Sequence, residues 1–337
     1  MSNNESPNVT LAHGNGGRFM RELIAEVFAR HLANPSLDIT ADATPIDLPE
    51  GQPVFTTDGF IVKPLEFPGG DIGSLCVHGT CNDLAVAGAD PLYLTLNAFI
   101  EEGMPIEQLD RLVQSIAKEA KGVGVKVAAG DTKVLPRGEG SGVYFATSGV
   151  GVRRKDLDLS LKNIKPGDHM LVSGPVGDHG VCVMLAREEF GMRGDLKSDA
   201  GSVYSLTKAV RDMAGLHFMR DPTRGGLATV CHEIMHATGL RVTLNEPQVP
   251  IREPVQSVCE MLGYDPLYLA CEGRVVAIAE PEAAEKILEA WKALPEGELA
   301  ANVGVIDDGP SRVEIETELG GRRILEELQD DPLPRIC

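Results

Sequence analysis

Aromatic residues are scarce in this 337-residue chain, at 4% with a single tryptophan. That suits aliphatic α/β packing better than a surface on which bases stack. Basic residues are outnumbered, 31 Lys and Arg against 50 Asp and Glu, for a formal net charge of −19. A nucleic-acid face must offer Lys and Arg to phosphates, so this balance argues against one. No run of 18 or more apolar residues occurs, so no membrane-spanning helix is expected. The opening MSNNESPNVT lacks the basic and apolar regions of a signal peptide. The seven cysteines are scattered and form no CxxC, which predicts a reduced, cytoplasmic chain without a disulfide framework. Cys182, Cys231, Cys259 and Cys271 stand in apolar surroundings and read as small buried hydrophobes. Neither GxxxxGK[ST] nor GxGxxG is present, which excludes a Walker site and a dinucleotide fingerprint.

What is abundant is glycine (37), proline (22) and apolar residues (43%), enough for two ordinary domains with many tight turns. The reading divides the chain into a Gly-rich segment and helix (1–40), an N-terminal domain (41–155), a C-terminal domain (156–328) and a tail (329–337). β-Branched and apolar runs predict strands over 54–62, 91–100, 125–134, 142–152 and 169–174. Helical periodicity appears in RFMRELIAEVFARHL, over 70–89, in PIEQLDRLVQSIAKEAKGVG, VCVMLAREEF and ATVCHEIMHATG, and in EAAEKILEAWKAL. GPVGDHG reads as a glycine loop, CEGRVVAIAE as a strand, and RRILEEL as a last turn before the tail. Without strict βαβ alternation, the fold class is α+β in two domains, with mixed sheets and flanking helices.

Four segments place an aspartate at a strand end or beside glycine: TTDGF (Asp58), CNDLAVAGA (Asp83), AGDTKV (Asp131) and RDPTRGGL (Asp221). Such carboxylates suit Mg²⁺ bridging phosphate oxygens. Each alone reads first as a turn signal. Lys133 lies two residues past Asp131 and projects to the same side of the strand. It stands either in reach of a γ-phosphate or at a solvated strand edge. HGNGG (13–17) and GPVGDHG (174–180) offer backbone N–H groups for phosphate. HEIMH (232–236) fits HExxH, which in zinc proteases places two histidines on one helix face with Glu233 as base. No third ligand follows at a protease-like spacing, and a helix with one buried and one exposed histidine is the plainer reading. The chain closes on DPLPRIC, so Cys337 carries both a thiol and the terminal carboxylate, behind Pro332 and Pro334. Its last position excludes the prenylation pattern.

In this order, HGNGG, TTDGF, FPGGDIG, GTCNDLAVAGA, AGDTKV, SGPVGDHG, DPTRGGL, CEGR and PRIC resemble the hydrogenase maturation factor HypE family, the carbamoyl dehydratases. That family belongs to the ATP-binding group with aminoimidazole ribonucleotide synthetase, selenophosphate synthetase and thiamine-phosphate kinase. The resemblance covers essentially the whole chain and implies the two-domain synthetase-like fold. It implies ATP-dependent dehydration of a thiocarbamate on Cys337 to a thiocyanate, the source of cyanide for the iron of [NiFe]-hydrogenase. The alternative is a small-molecule kinase or synthetase on the same fold. Implied partners are the carbamoyltransferase HypF, the HypC–HypD scaffold and a second copy through the N-terminal domain. Asp58, Asp83, Asp131 and Asp221 would hold Mg²⁺ and ATP, with Gly16, Gly17 and Asn82 beside the nucleotide. Lys133 would neutralise the transferred phosphoryl, and Glu272 of CEGR, otherwise a surface turn glutamate, would be the general base.

Overall fold

The computed structural model describes residues 8–187 and 194–329. The described residues fall into two compact units, the first comprising 8–84 and Ala89–Arg153, the second Ala85–Gly88 and the described residues from Arg154 onward.

The first unit is built on strands β1 (Gln52–Phe60), β4 (Asp90–Glu101), β5 (Lys126–Leu135) and β6 (Val143–Arg153), in the order β1-β6-β4-β5. β4 pairs parallel to β5 and antiparallel to β6, so the sheet is mixed. A small hairpin, β2 (Glu66–Phe67) and β3 (Gly70–Asp71), leads into α3 (Ile72–Val86). α3 is buried from Ile72 to Asn82, because its small residues let it lie close on the sheet. A Cβ on Gly79 would stand 2.6 Å from the Phe60 ring, and one on Gly149 2.8 Å from Thr80. Beside it, α4 (Ile106–Val123) buries Leu109, Leu112, Val113, Ile116 and Ala120, the i, i+3, i+4, i+7 stripe of an amphipathic helix. Gly124 ends it in the left-handed region at φ 87°, its N–H bonded to the Ala120 carbonyl. The N-terminal helix is α1 (Arg18–Leu23) and α2 (Arg30–Leu32) joined by a π-helical stretch, Ile24–Ala29.

The second unit carries seven strands: β7 (His169–Val172), β8 (Leu216–Arg220), β9 (Arg241–Asn245), β10 (Val276–Ala279), β11 (Ala301–Asp307), β12 (Val313–Glu316) and β13 (Arg322–Ile324). Their order is β13-β12-β9-β11-β7-β10-β8, with β9 and β12 parallel and the other pairs antiparallel. The helices are α5 (Asp178–Ala186), α6 (Tyr204–Val210), α7 (Gly226–Thr238), α8 (Glu253–Leu262) and α9 (Pro281–Lys292). Both faces of the sheet are covered, which is why VVAIA reads as one continuous apolar run. Met170, Val172, Val276 and Ile278 pack with Leu227, Cys231 and Ile234 of α7. Their neighbours Leu171, Val275, Ala277 and Ala279 pack on the other face with Leu206 and Val210 of α6 and Ile287 and Trp291 of α9.

Three expectations differ from this structure. In GPVGDHG, only the first residues form a loop; Gly177 is the N-cap and α5 already includes Asp178, His179 and Gly180. In CEGRVVAIAE, only Val276–Ala279 is strand. RRILEEL does not form a helical turn: Arg322–Ile324 pair antiparallel with Glu314–Glu316. Arg322 also reaches the buried Glu314 carboxylate at 3.4 Å, a tertiary partner that overrides local helix propensity.

Candidate active site

The expected site residues fall into three groups. Asp58 on β1 and Asp83 on α3 line one strip. Thr56, two residues before Asp58 and on the same face, donates its Oγ1 to Asp83 Oδ2 at 2.8 Å. A Cβ on Gly79, one turn before Asp83, would lie 3.6 Å from Asp58 Oδ2. Asp58 Oδ1 also accepts the Gly59 N–H at 2.8 Å, which fixes its rotamer. Asn82 is buried on the same helix.

Asp131 and Lys133 stand on the other face of the sheet. Asp131 is in register with Asn97, and Asn97 with Ala146. Their neighbours Leu96, Ala98 and Phe145 are buried, so the alternation sends this row outward. Lys133 Nζ contacts Asp131 Oδ2, with 59% and 53% of the two side chains exposed. β5 is an edge strand, and its lysine stands there exposed, in an ion pair with Asp131. HGNGG comes to the same strand: a Cβ on Gly14 would lie 3.0 Å from Val134, next to Lys133. Gly16 has φ 71° and Gly17 is the N-cap of α1, both in open space. A cleft of about 160 Å³ adjoins Asp131, lined by Phe28, Asp38, Asp42, Leu96 and Gly130.

Asp221 and Glu272 belong to the second unit, and both are buried at 7% exposure. The Cys271 N–H donates to the Pro222 carbonyl at 3.0 Å, which sets RDPTRGGL against CEGR. Glu272 is therefore no surface turn residue.

Of the charged residues that hold this turn, Arg274 belongs to CEGR and Asp178 to GPVGDHG, while Asp199 and Arg252 lie outside every motif singled out above. Asp199 accepts the backbone N–H groups of Glu272 and Gly273, each at 3.3 Å. A Cβ on Gly273 would lie 2.0 Å from the Asp199 carbonyl oxygen, so the motif's glycine answers a close backbone approach. Arg274, 8% exposed, donates Nε to the Pro175 carbonyl at 2.8 Å and lies 3.4 Å from Asp178 and 3.5 Å from Asp199. Arg252 Nε donates to Asp178 Oδ2 at 2.9 Å. Burial is the largest influence on Asp178 and raises its carboxyl, against the two guanidiniums. Burial likewise pushes the His179 imidazole down to about 4. Its Nδ1 lies 2.8 Å from Ser198 Oγ. The bonds that join Asp178, Asp199, Arg252 and Arg274 to this turn span 73 to 99 positions of the chain, so no local pattern announces them.

The six cysteines among the described residues are all buried and none is in a disulfide. Burial pushes the Cys271 thiol well above its usual value and Cys231 upward too, so these are inert packing groups. Cys337, with Pro332 and Pro334, lies outside the described residues.

Comparison with known proteins places this arrangement. Residues 40–153 match the family described as AIR synthase related protein, N-terminal domain, and residues 165–316 its C-terminal domain. A carbamoyl dehydratase HypE from Azotobacter vinelandii is 46% identical over 98% of this chain and 97% of its own. The chain belongs to the HypE carbamoyl dehydratase family. The family's Escherichia coli member is 39% identical over 98% of this chain and 99% of its own. Among solved structures, hydrogenase maturation protein HypE in complex with ATP superposes with a TM-score of 0.92. It is 40% identical and covers 97% of this chain and 99% of that one. A chain from a HypE–HypF complex is 43% identical with a TM-score of 0.80, covering 91% of this chain and 99% of that one. A thiamine-monophosphate kinase shares the fold alone, at 19% identity and a TM-score of 0.65. The structure thus has the two-domain synthetase-like α+β fold expected from the sequence.

Proposed function

We propose that this protein is an ATP-dependent carbamoyl dehydratase whose substrate is its own C-terminus. A thiocarbamate on the Cys337 sulfur, loaded by HypF, is converted to a thiocyanate. The cyano group then passes to iron on the HypC–HypD scaffold as a ligand of [NiFe]-hydrogenase. The full-length likeness to HypE in complex with ATP carries this reading. The likeness to the HypE–HypF complex supports HypF as the carbamoylating partner.

The thiocarbamate oxygen is a poor leaving group, so it is first phosphorylated. It attacks the γ-phosphorus, the bond to the β,γ-bridging oxygen breaks, and ADP departs. One N–H proton leaves to give an imidoyl phosphate. The second leaves as the C–O bond breaks, giving S–C≡N and inorganic phosphate. Glu272 takes the nitrogen-bound proton as general base. Its support is a rigid turn, held by Asp199 and Arg274. Lys133 meets the charge of the transferred phosphoryl, and Gly16, Gly17 and Asn82 line the nucleotide. Asp58, Asp83, Asp131 and Asp221 offer only carboxylate oxygens, the hard ligands Mg²⁺ takes, and the shared strip of Asp58 and Asp83 fits that ion. When bound, Mg²⁺ neutralises phosphate charge and favours transfer.

The protein works as a homodimer in the cytoplasm. Opposite α3, the first unit's sheet carries Phe55 and Phe99, 69% and 37% exposed, on the face that bears Asp131 and Lys133. A second copy on this face buries them and brings the nucleotide to the interface. Analytical ultracentrifugation of a Phe55→Asp, Phe99→Asp variant should give a monomer; an unchanged dimer refutes that face.

Intact-mass spectrometry tests the reaction. With HypF, the carbamoyl source and Mg²⁺–ATP, the C-terminal peptide should gain a carbamoyl group and then lose one water. Without ATP, or with Mg²⁺ chelated, the carbamoyl group should stay. Cyanide formation by a protein lacking Cys337 overturns the reading.

A further inference from the structure

HEIMH fits no step of that reaction, yet its histidines are not idle packing. His232 is 6% exposed, and neither ring nitrogen has a hydrogen-bond partner among the described residues. A buried polar group left unpaired costs on the order of 1–3 kcal/mol, so such an imidazole calls for a ligand. One turn on, and on the same helix face, His236 is 57% exposed, its ring centroid 6.3 Å from that of His232. Its Nε2 lies 3.0 Å from Glu327 Oε2. One ligand atom from each of His232, His236 and Glu327 lies within 4.8 Å of the others.

The third ligand that sequence spacing did not supply therefore comes from 91 residues away. The chain holds it there deliberately. Leu325, 1% exposed, donates its N–H to the Val313 carbonyl at 3.0 Å. Tyr268 Oη donates to the Glu326 carbonyl at 2.6 Å. The backbone is thus pinned on the residues just before Glu327, and its carboxylate meets α7.

We propose that His232, His236 and Glu327 form a divalent transition-metal site, with Zn²⁺ the best-suited ion. Two imidazoles are borderline donors that Mg²⁺ does not favour, whereas zinc takes them together with a carboxylate oxygen. Tetrahedral zinc with bonds of about 2.0–2.2 Å needs donor atoms about 3.3 Å apart. The exposed His236 and Glu327 side chains close that gap by rotamer adjustment around the fixed His232. Water or a partner's group takes the fourth position. The site is no protease centre: Glu233, which would be the base, pairs with Arg220 at 3.3 Å. The ion instead clasps residues 325–327 to α7, immediately before the segment that leads to Cys337.

The test uses full-length protein, freed of any affinity tag and of metal, in excess Mg²⁺. Calorimetric titration with Zn²⁺ should show one tight equivalent, and Co²⁺ should give the visible absorption of a tetrahedral site. Glu327→Gln should weaken Zn²⁺ binding at least tenfold and His236→Asn about a hundredfold, with the Co²⁺ band lost in both. Both side chains are more than half exposed, so these variants should keep the wild-type circular dichroism; His232→Asn is read only if it does too. No stoichiometric uptake by the wild type overturns the site. Uptake unchanged in both exposed variants also overturns it, and places the ion elsewhere, such as on a thiol.

Discussion

Gly273→Ala isolates one close backbone approach from every other feature of the CEGR turn. The new methyl would stand 2.0 Å from the Asp199 carbonyl oxygen, 3.1 Å from its carbon and 3.2 Å from the Gly201 nitrogen. All three are backbone atoms, so no side-chain rotation relieves the clash. An ordinary contact needs about 3.4 Å, so one segment must retreat by more than 1 Å. Overpacking of this kind costs typically about 1–3 kcal/mol. The two N–H bonds from Glu272 and Gly273 to Asp199 stretch or break with it, adding about 0.5–1.5 kcal/mol each. A loss of about 3 kcal/mol should lower the melting temperature by about 6–12 °C in a unit of this size. Function should suffer more than stability, because a displacement of about 1 Å can cost about a hundredfold in rate. The assay is single-turnover conversion of carbamoylated protein, followed by the mass of the C-terminal peptide, beside differential scanning calorimetry. Wild-type melting and wild-type turnover in Gly273→Ala would refute both the close approach and the role of this turn.

Two acid-sensitive groups should act in separate pH windows. The His78 hydrogen bond, ahead of Lys118, lowers Glu119 from 4.5 to about 2. Its stabilising contribution is complete above pH 4.5 and lost as pH falls toward 2, so Glu119→Gln should flatten the melting-temperature profile below pH 4.5. His179 is lowered from 6.5 to about 4, so the unfolded chain takes up a proton first as pH drops. The resulting loss of stability runs from pH 6.5 down to 4, and His179→Gln should flatten that interval; an unchanged slope rejects the assignment. Trp291 is fully buried and donates Nε1 to the Leu206 carbonyl at 3.1 Å. Trp291→Ala should cost about 3–5 kcal/mol in urea unfolding, and a cost under 1 kcal/mol would mean that α6 and α9 collapse into the gap.

How much of this was legible in the chain depended on whether the cause of each feature is local. α4 was plain because its apolar stripe and the closing Gly124 are both within one helix. α3 was readable from its small and apolar residues at helical spacing, and the fold gives the reason: Gly73 lies against the α4 backbone at Leu112 and Gly79 against the Phe60 ring of β1. The Asp58 and Asp83 motifs were legible as carboxylates, but their shared strip depends on β1 meeting α3. Asp131 sits on the opposite face for a reason equally invisible in its own motif, the register of β5 against β4. β13 was misread because RRILEEL favours helix in isolation, while its partner Glu314 is buried and holds Arg312 as well as Arg322. The same limit explains HEIMH. Spacing alone supplied two ligands on one helix face and then correctly failed to find a third nearby. The fold brings Glu327 back through β12, β13 and the anchored Leu325, so the zinc pattern of a protease becomes a clasp on the chain's end. A two-histidine motif therefore predicts chemistry only once the strand that returns beside it is known.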